Sequence, residues 1–209
     1  GQGNAVVPVN FSTDPRSTAG SGDQYMVSGT EISLWPSNLG LAATFDIDTI
    51  TKFAKISSEE YRGLGISTLL GPQIDLATEP RWLRVDGTFG ENTQLTTDIT
   101  KAFADGYQST YDENDTDIGW GMDSLNVMIK HFPGDGSGES GRESHTEAGK
   151  YAVYPGKNFT EHTKPFIDGG LNLAGDTTSA ASVLSSYSIG CGDHVESVMG
   201  ERAGSAYYQ

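Results

Sequence analysis

The sequence predicts an α/β fold built on a parallel sheet. Three observations point that way. Short apolar runs alternate with stretches whose apolar residues recur every three or four positions. The joins between them are short, and glycine punctuates their ends. Strand, helix, strand, helix in that rhythm is the pattern of parallel βαβ units.

Ala5-Val6-Val7-Pro8-Val9-Asn10-Phe11 reads as the first buried strand. Pro8 is an objection, because proline cannot donate to a sheet ladder. Ile47, Ile50, Phe53, Ala54, Tyr61 and Leu64 form one stripe of a helix, which Gly63 and Gly65 stop. Ile66 to Leu70 is the second strand, ended by Gly71-Pro72. The next helix carries Leu95, Ile99, Ala102, Phe103 and Gly106 on one face, before a polar stretch from Ser109 to Asp117. Asn126-Val127-Met128-Ile129 is the third strand and runs into Lys130-His131-Phe132, followed by a Gly-rich loop from Pro133 to Gly141. Asn158 and Glu161 predict a capping box for a helix through Phe159, Phe166 and Ile167, closed by Gly169-Gly170. Ala181 to Tyr187 is the fourth strand. Four strands and three helices do not close an eight-stranded barrel, which needs about 250 residues. The chain reads either as a small open sheet or as part of a larger barrel.

Composition narrows the partners. Thirteen basic residues against 28 acidic ones give a net charge of −15 over 209 residues. Such a surface repels phosphate backbones and anionic lipid, so neither nucleic acid nor membrane is expected as a partner. No run approaches the ~20 apolar residues of a membrane span. The single cysteine, Cys191, can form neither an internal disulfide nor a zinc cluster. From Gly1 onward no basic stretch precedes an apolar one, so no targeting peptide is expected within this sequence.

Polar residues follow each strand. Asp14 and Arg16 follow the first, Gln73 and Asp75 the second, Lys130-His131 end the third, and Tyr187 ends the fourth. Parallel α/β folds bind ligands at the carboxyl ends of their strands, so these groups would converge on one face. Lys130-His131 is the sharpest signal, since two polar side chains closing an apolar strand are costly without partners. They read either as a snorkelling lysine beside a capping histidine, or as two donors aimed at hydroxyls or a phosphate. Other candidates carry less. The loop Gly134 to Gly138 lacks the Gly-Lys-Ser/Thr ending of a phosphate loop, and Asp135 and Glu139 would repel phosphate. Asp112 to Asp117 lacks the glycine of a calcium-binding loop and reads as a solvated acidic turn. Trp35, Trp82 and Trp120 read as core residues or as stacking platforms.

Lys130-His131-Phe132-Pro133-Gly134-Asp135-Gly136 resembles the Lys-His-Phe-x-Gly-Asp-Gly signature of family 3 glycoside hydrolases. Pro80-Arg81-Trp82-Leu83-Arg84 with Phe89-Gly90-Glu91-Asn92 is similar to the family's Pro-Arg-Trp-Gly-Arg…Phe-Gly-Glu-Asp run. Leu39 to Asp46 and Ser185-Ser186-Tyr187 resemble two further family stretches, in family order. Leu83 stands for the usual glycine, Gly87 where an acid is common, and Asn92 for the aspartate.

The resemblance implies a partial (β/α)8 TIM-like barrel, lacking its first and last strands, from a retaining exo-acting β-glycosidase that releases terminal glucose. Asp14, Arg84, Lys130 and His131 would hold sugar hydroxyls, with Tyr187 near the reacting carbon. A carboxylate accepts hydroxyl bonds and the cations donate charge-assisted ones, which suits that role. The family's nucleophilic aspartate motif and its acid/base glutamate are not found here, so both are expected in a remaining part of the same enzyme. An alternative branch, the N-acetylhexosaminidases, places an acid/base histidine after Lys-His, where this chain has Glu143-Ser144-His145. A non-catalytic carbohydrate-binding domain is the other alternative. A β-linked oligosaccharide or glycoside is the implied partner, no metal or organic cofactor is implied, and a periplasmic or secreted location is favoured over a cytoplasmic one.

Overall fold

A computed structural model describes residues 10–14, 33–191 and 204–205. Its elements are β1 (Phe11–Thr13), α1 (Asn38–Ala42), α2 (Ile47–Gly63), β2 (Ile66–Leu69), α3 (Thr93–Gln108), β3 (Asn126–Phe132), β4 (Tyr151–Val153), α4 (Phe159–Lys164), β5 (Ser182–Ser185) and β6 (Ile189–Cys191). Four strands form a sheet in the order β1-β2-β3-β5, and every neighbouring pair is parallel. The α/β architecture with a parallel sheet is therefore as expected. A separate parallel pair, β4 with β6, was not foreseen.

Among the described residues the first strand covers Phe11–Thr13, and residues 5–9 and Arg16 fall outside them. The helical expectations hold because each helix has one buried stripe. Ile50, Phe53, Ala54 and Tyr61 of α2 pack against Ile99, Phe103, Ala104 and Tyr107 of α3 in one core. Phe103 stacks on Tyr107 with ring centroids 4.9 Å apart, and Phe53 tilts against Phe103 at 5.7 Å. The crossing is close enough that a Cβ on Gly106 would come 2.5 Å from that of Ala54. Asp46 caps α2, accepting from the backbone of Asp48 at 3.0 Å. Asn92 caps α3 in the same way, accepting from Leu95 at 2.9 Å. Neither cap was anticipated.

The predicted capping box at Asn158 is corrected. Asn158 precedes α4, but its side chain makes no cap bond because its backbone is not extended there (φ −106°, ψ 21°). Glu161 instead pairs with Lys164. The helix then widens into a π-type turn over Pro165–Gly170, ending at the expected glycine pair. The acidic turn is self-contained: the Asp112 carboxylate accepts from the backbone of Asn114 and Thr116, each at 2.9 Å. Of the tryptophans, Trp82 is buried, Trp35 is partly buried against Phe53, and Trp120 is half exposed.

His162 of α4 is buried edge-on against Tyr154, with ring centroids 5.0 Å apart, and its Nδ1 has no partner among the described residues. Burial lowers its pKa from 6.5 to about 4. Between those values the unfolded chain binds a proton that the fold excludes. The stability from neutral His162 is therefore complete above pH 6.5 and is lost as pH falls towards 4, by about 3 kcal/mol in all. Urea titrations at pH 7 and pH 5 should show about 2 kcal/mol of that loss, and His162→Leu should remove most of the difference.

Candidate active site

The strand-end cluster is organised around Asp75, which is completely buried. Its Oδ2 lies 3.0 Å from His131 Nδ1. Its Oδ1 accepts from the backbone N–H of His131 at 3.2 Å and of Asp135 at 2.6 Å. Burial pushes the Asp75 pKa up, but the imidazole and the two backbone donors outweigh it and hold the carboxyl below its ordinary value. With Asp75 ionised, Nδ1–H of His131 is the donor, which leaves Nε2 as the ring nitrogen available to a ligand.

Lys130 reaches this face by the two-residue period of β3. Val127 and Ile129 enter the core below the sheet, so Lys130 falls on the opposite side. Its side chain is only 4% exposed and its ammonium bonds the Asp14 carboxylate, which is 52% exposed. Burial pushes the ammonium's pKa down, and Asp14 offsets part of that. The neighbouring strand end brings Arg84 close. Its Nη2 donates to Gln73 Oε1 at 3.2 Å, and its Nη1 lies 3.8 Å from Glu143 Oε1.

Glu143 is the hub of the second half of the site. It accepts from Trp82 Nε1 at 3.0 Å and lies 2.6 Å from His145 Nδ1. Burial pushes its pKa up, yet His145, Arg84 and Trp82 together hold it below the ordinary carboxylate value. His145 meets the ring of Tyr187 edge-on, centroids 5.0 Å apart. Tyr187 lies two residues beyond β5 rather than at its end, and is 61% exposed. Asp135 joins the halves: its carboxylate accepts from Ser144 at 2.7 Å and from Ser186 at 2.8 Å. The Gly-rich loop can pass this close because a Cβ on Gly136 would meet the Leu76 carbonyl at 2.1 Å.

The fold thus places Asp14, Arg84, Lys130, His131, His145 and Tyr187 in one strand-end cluster, while Arg16 lies outside the described residues. Sequence reasoning missed that Glu143 links Arg84 to His145, and that Asp135 is a buried acceptor rather than a loop charge. Trp82 held the clue to Glu143, since a buried indole N–H needs an acceptor.

Residues 3–169 match the family model described as Glycosyl hydrolase family 3 N terminal domain. The chain belongs to glycosyl hydrolase family 3. It is 38% identical over 192 residues to the Probable beta-glucosidase C of Aspergillus flavus, across 92% of this chain and 28% of that protein. It is 39% identical to the Periplasmic beta-glucosidase/beta-xylosidase of Dickeya chrysanthemi, across 88% of this chain and 26% of that one. It therefore spans about a quarter of the length of these curated relatives. Among solved structures, the beta-glucosidase of Listeria innocua in complex with isofagomine superposes with a TM-score of 0.65 at 22% identity, over 90% of this chain and 23% of that one. A family 3 beta-N-acetylglucosaminidase from Paenibacillus gives 0.66 at 19% identity, over 95% and 32%. These two likenesses concern the fold.

Removing the Asp75 charge leaves the His131 Nδ1–H without its charged acceptor and turns an amide donor towards buried N–H groups. Asp75→Asn should lower the unfolding free energy by about 3 kcal/mol in urea titration. Asp86→Asn, on an exposed turn, should change it by less than about 0.5 kcal/mol.

Proposed function

We propose that this chain supplies the sugar-binding part of a retaining, exo-acting β-glycosidase that releases terminal β-linked glucose. The observation that carries the reading is the pairing of the buried Lys130 ammonium with Asp14, beside the Asp75-oriented His131 and Arg84. Such a floor offers donors and acceptors side by side, which suits a neutral polyhydroxyl ring. Charge-assisted donors to sugar hydroxyls strengthen as the oxocarbenium-like transition state forms, so the same contacts serve rate as well as binding. Names of the curated relatives, beta-glucosidase and beta-glucosidase/beta-xylosidase, support the substrate class.

In this reading residues 1–209 are part of a (β/α)8 TIM-like barrel. The nucleophilic carboxylate and the acid/base belong to the rest of the enzyme, and they would stand about 5–5.5 Å apart for retention. Asp14 and Arg84 hold hydroxyls from the side and Lys130 and His131 from the floor, while Tyr187 borders the anomeric carbon. A periplasmic or secreted location fits the periplasmic relatives, and no helix among the described residues is long and apolar enough to cross a membrane.

A second reading rests on one contact, the 2.6 Å pairing of His145 with Glu143 against Tyr187. An acid-oriented histidine there could deliver a proton to the leaving group, as in the N-acetylhexosaminidase branch. Glu143 also serves Trp82 and Arg84, so the first reading treats His145 as a brace for Tyr187.

Two variants of the full-length protein separate these readings. Lys130→Ala should lower kcat/KM on aryl β-glucosides by at least about 100-fold with the fold intact, and near-normal kinetics would remove the sugar-clamp assignment. His145→Ala should slow good and poor leaving groups equally and modestly. A loss concentrated on poor leaving groups would favour the hexosaminidase reading.

A further inference from the structure

Gln73 stands among the charged groups of the cluster as a neutral side chain. It is 8% exposed and pairs in parallel register with Lys130. The backbone is pinned on both sides: Lys130 N–H donates to Pro72 O at 3.1 Å, and Ile74 N–H to Lys130 O at 2.9 Å. Gln73 and Lys130 therefore present their side chains on the same face. Oε1 of Gln73 accepts from Arg84 Nη2 at 3.2 Å. Its Nε2 is buried and has no partner among the described residues. An unpaired buried amide donor is unfavourable, and an apolar side chain would avoid it. The compensation lies at the other end of the carboxamide, on Arg84.

A second observation concerns the turn that carries Arg84. Gly87 N–H donates to Arg84 O at 3.1 Å, closing that turn over Gln73. A Cβ on Gly87 would come 2.9 Å from Gln73 Oε1 and 3.4 Å from its Cδ. The carboxamide thus occupies the room that a side chain at position 87 would need.

We infer that Gln73 is the positioning residue of Arg84: seated in the space left by Gly87, its carboxamide aims the guanidinium at the bound sugar without neutralising it. The inference rests on the sugar-clamp reading above. A neutral acceptor matters because Arg84 and Lys130 must both donate charge-assisted bonds to a ligand. A carboxylate in the same seat would lie beside both cations and compete with the sugar for them.

The test is a double-mutant cycle in the full-length protein with an aryl β-glucoside, using Gln73→Val, Gly87→Ala and the pair. Gln73→Val should lower kcat/KM at least about tenfold. Gly87 has ordinary backbone angles, so Gly87→Ala displaces only the flexible end of Gln73 and should lower kcat/KM about three- to tenfold. The pair should be no worse than Gln73→Val alone, because nothing is left to displace. Gln73→Glu should raise KM by about tenfold or more while the thermal midpoint is kept, a split that a merely structural role does not produce. Losses that simply add, or a Gln73→Val enzyme within about twofold of wild type, would overturn the inference. If Gln73→Val loses its thermal transition, the other two single variants decide, and an unchanged KM in both overturns it. A wild-type protein without turnover of any aryl β-glycoside removes the sugar-clamp reading, and this inference with it.

Discussion

One buried carboxylate holds the site in register. Asp75 accepts from the His131 ring, the His131 backbone and the Asp135 backbone, and so ties the chain after β2 to the end of β3 and to the Gly-rich loop. Each of those donors is shielded from water, so none has an alternative partner close by. The connection continues outward. Asp135, held by its N–H, uses its own carboxylate to hold Ser144 beside Glu143 and Ser186 beside Tyr187. Groups that share no strand are thereby fixed relative to one another through two acids in series. Networks of this kind act as units, because loosening one member strands the next.

The electrostatics of the face differ from those of the molecule. The chain as a whole carries −15, whereas the cluster sets two cations, Lys130 and Arg84, among the carboxylates of Asp14, Asp75, Asp135 and Glu143. Asp14 pairs with Lys130 and Glu143 faces Arg84, and the Asp75 charge also acts on Lys130. The face is thus rich in both donors and acceptors. An anionic ligand would meet two carboxylates, whereas a neutral one meets alternating polarity.

Much of this was legible in the residues, for physical reasons. α2 and α3 show one apolar stripe each over four turns or more, and their extents match the sequence reading to within one or two residues. Lys130-His131 was legible because charge at the end of an apolar strand needs a reason. Their partners were not: Asp75 lies 56 residues from His131 and Asp14 lies 116 from Lys130, and nothing local announces pairings at that distance. β4 and β6 were missed because three residues cannot display a period. The Asn158 box failed because its spacing was right while its backbone was not extended, and the working caps at Asp46 and Asn92 had no glutamate or glutamine to flag them.

The small β4–β6 pair has a wider meaning. The excursion that carries Glu143 and His145 leaves the main sheet at β3 and runs to β4, while Tyr187 sits on the short hop from β5 to β6. Tyr151, Ala152 and Val153 then pair in register with Ile189, Gly190 and Cys191, so the two excursions share a single buckle away from the sheet. The excursion after β3 therefore behaves as a cassette, anchored at both ends and tied in the middle through Glu143 and Ser144. Insertions within it can reshape the rim beside Tyr187 while the ladder under Lys130 stays as it is, which lets one floor serve differently shaped entrances.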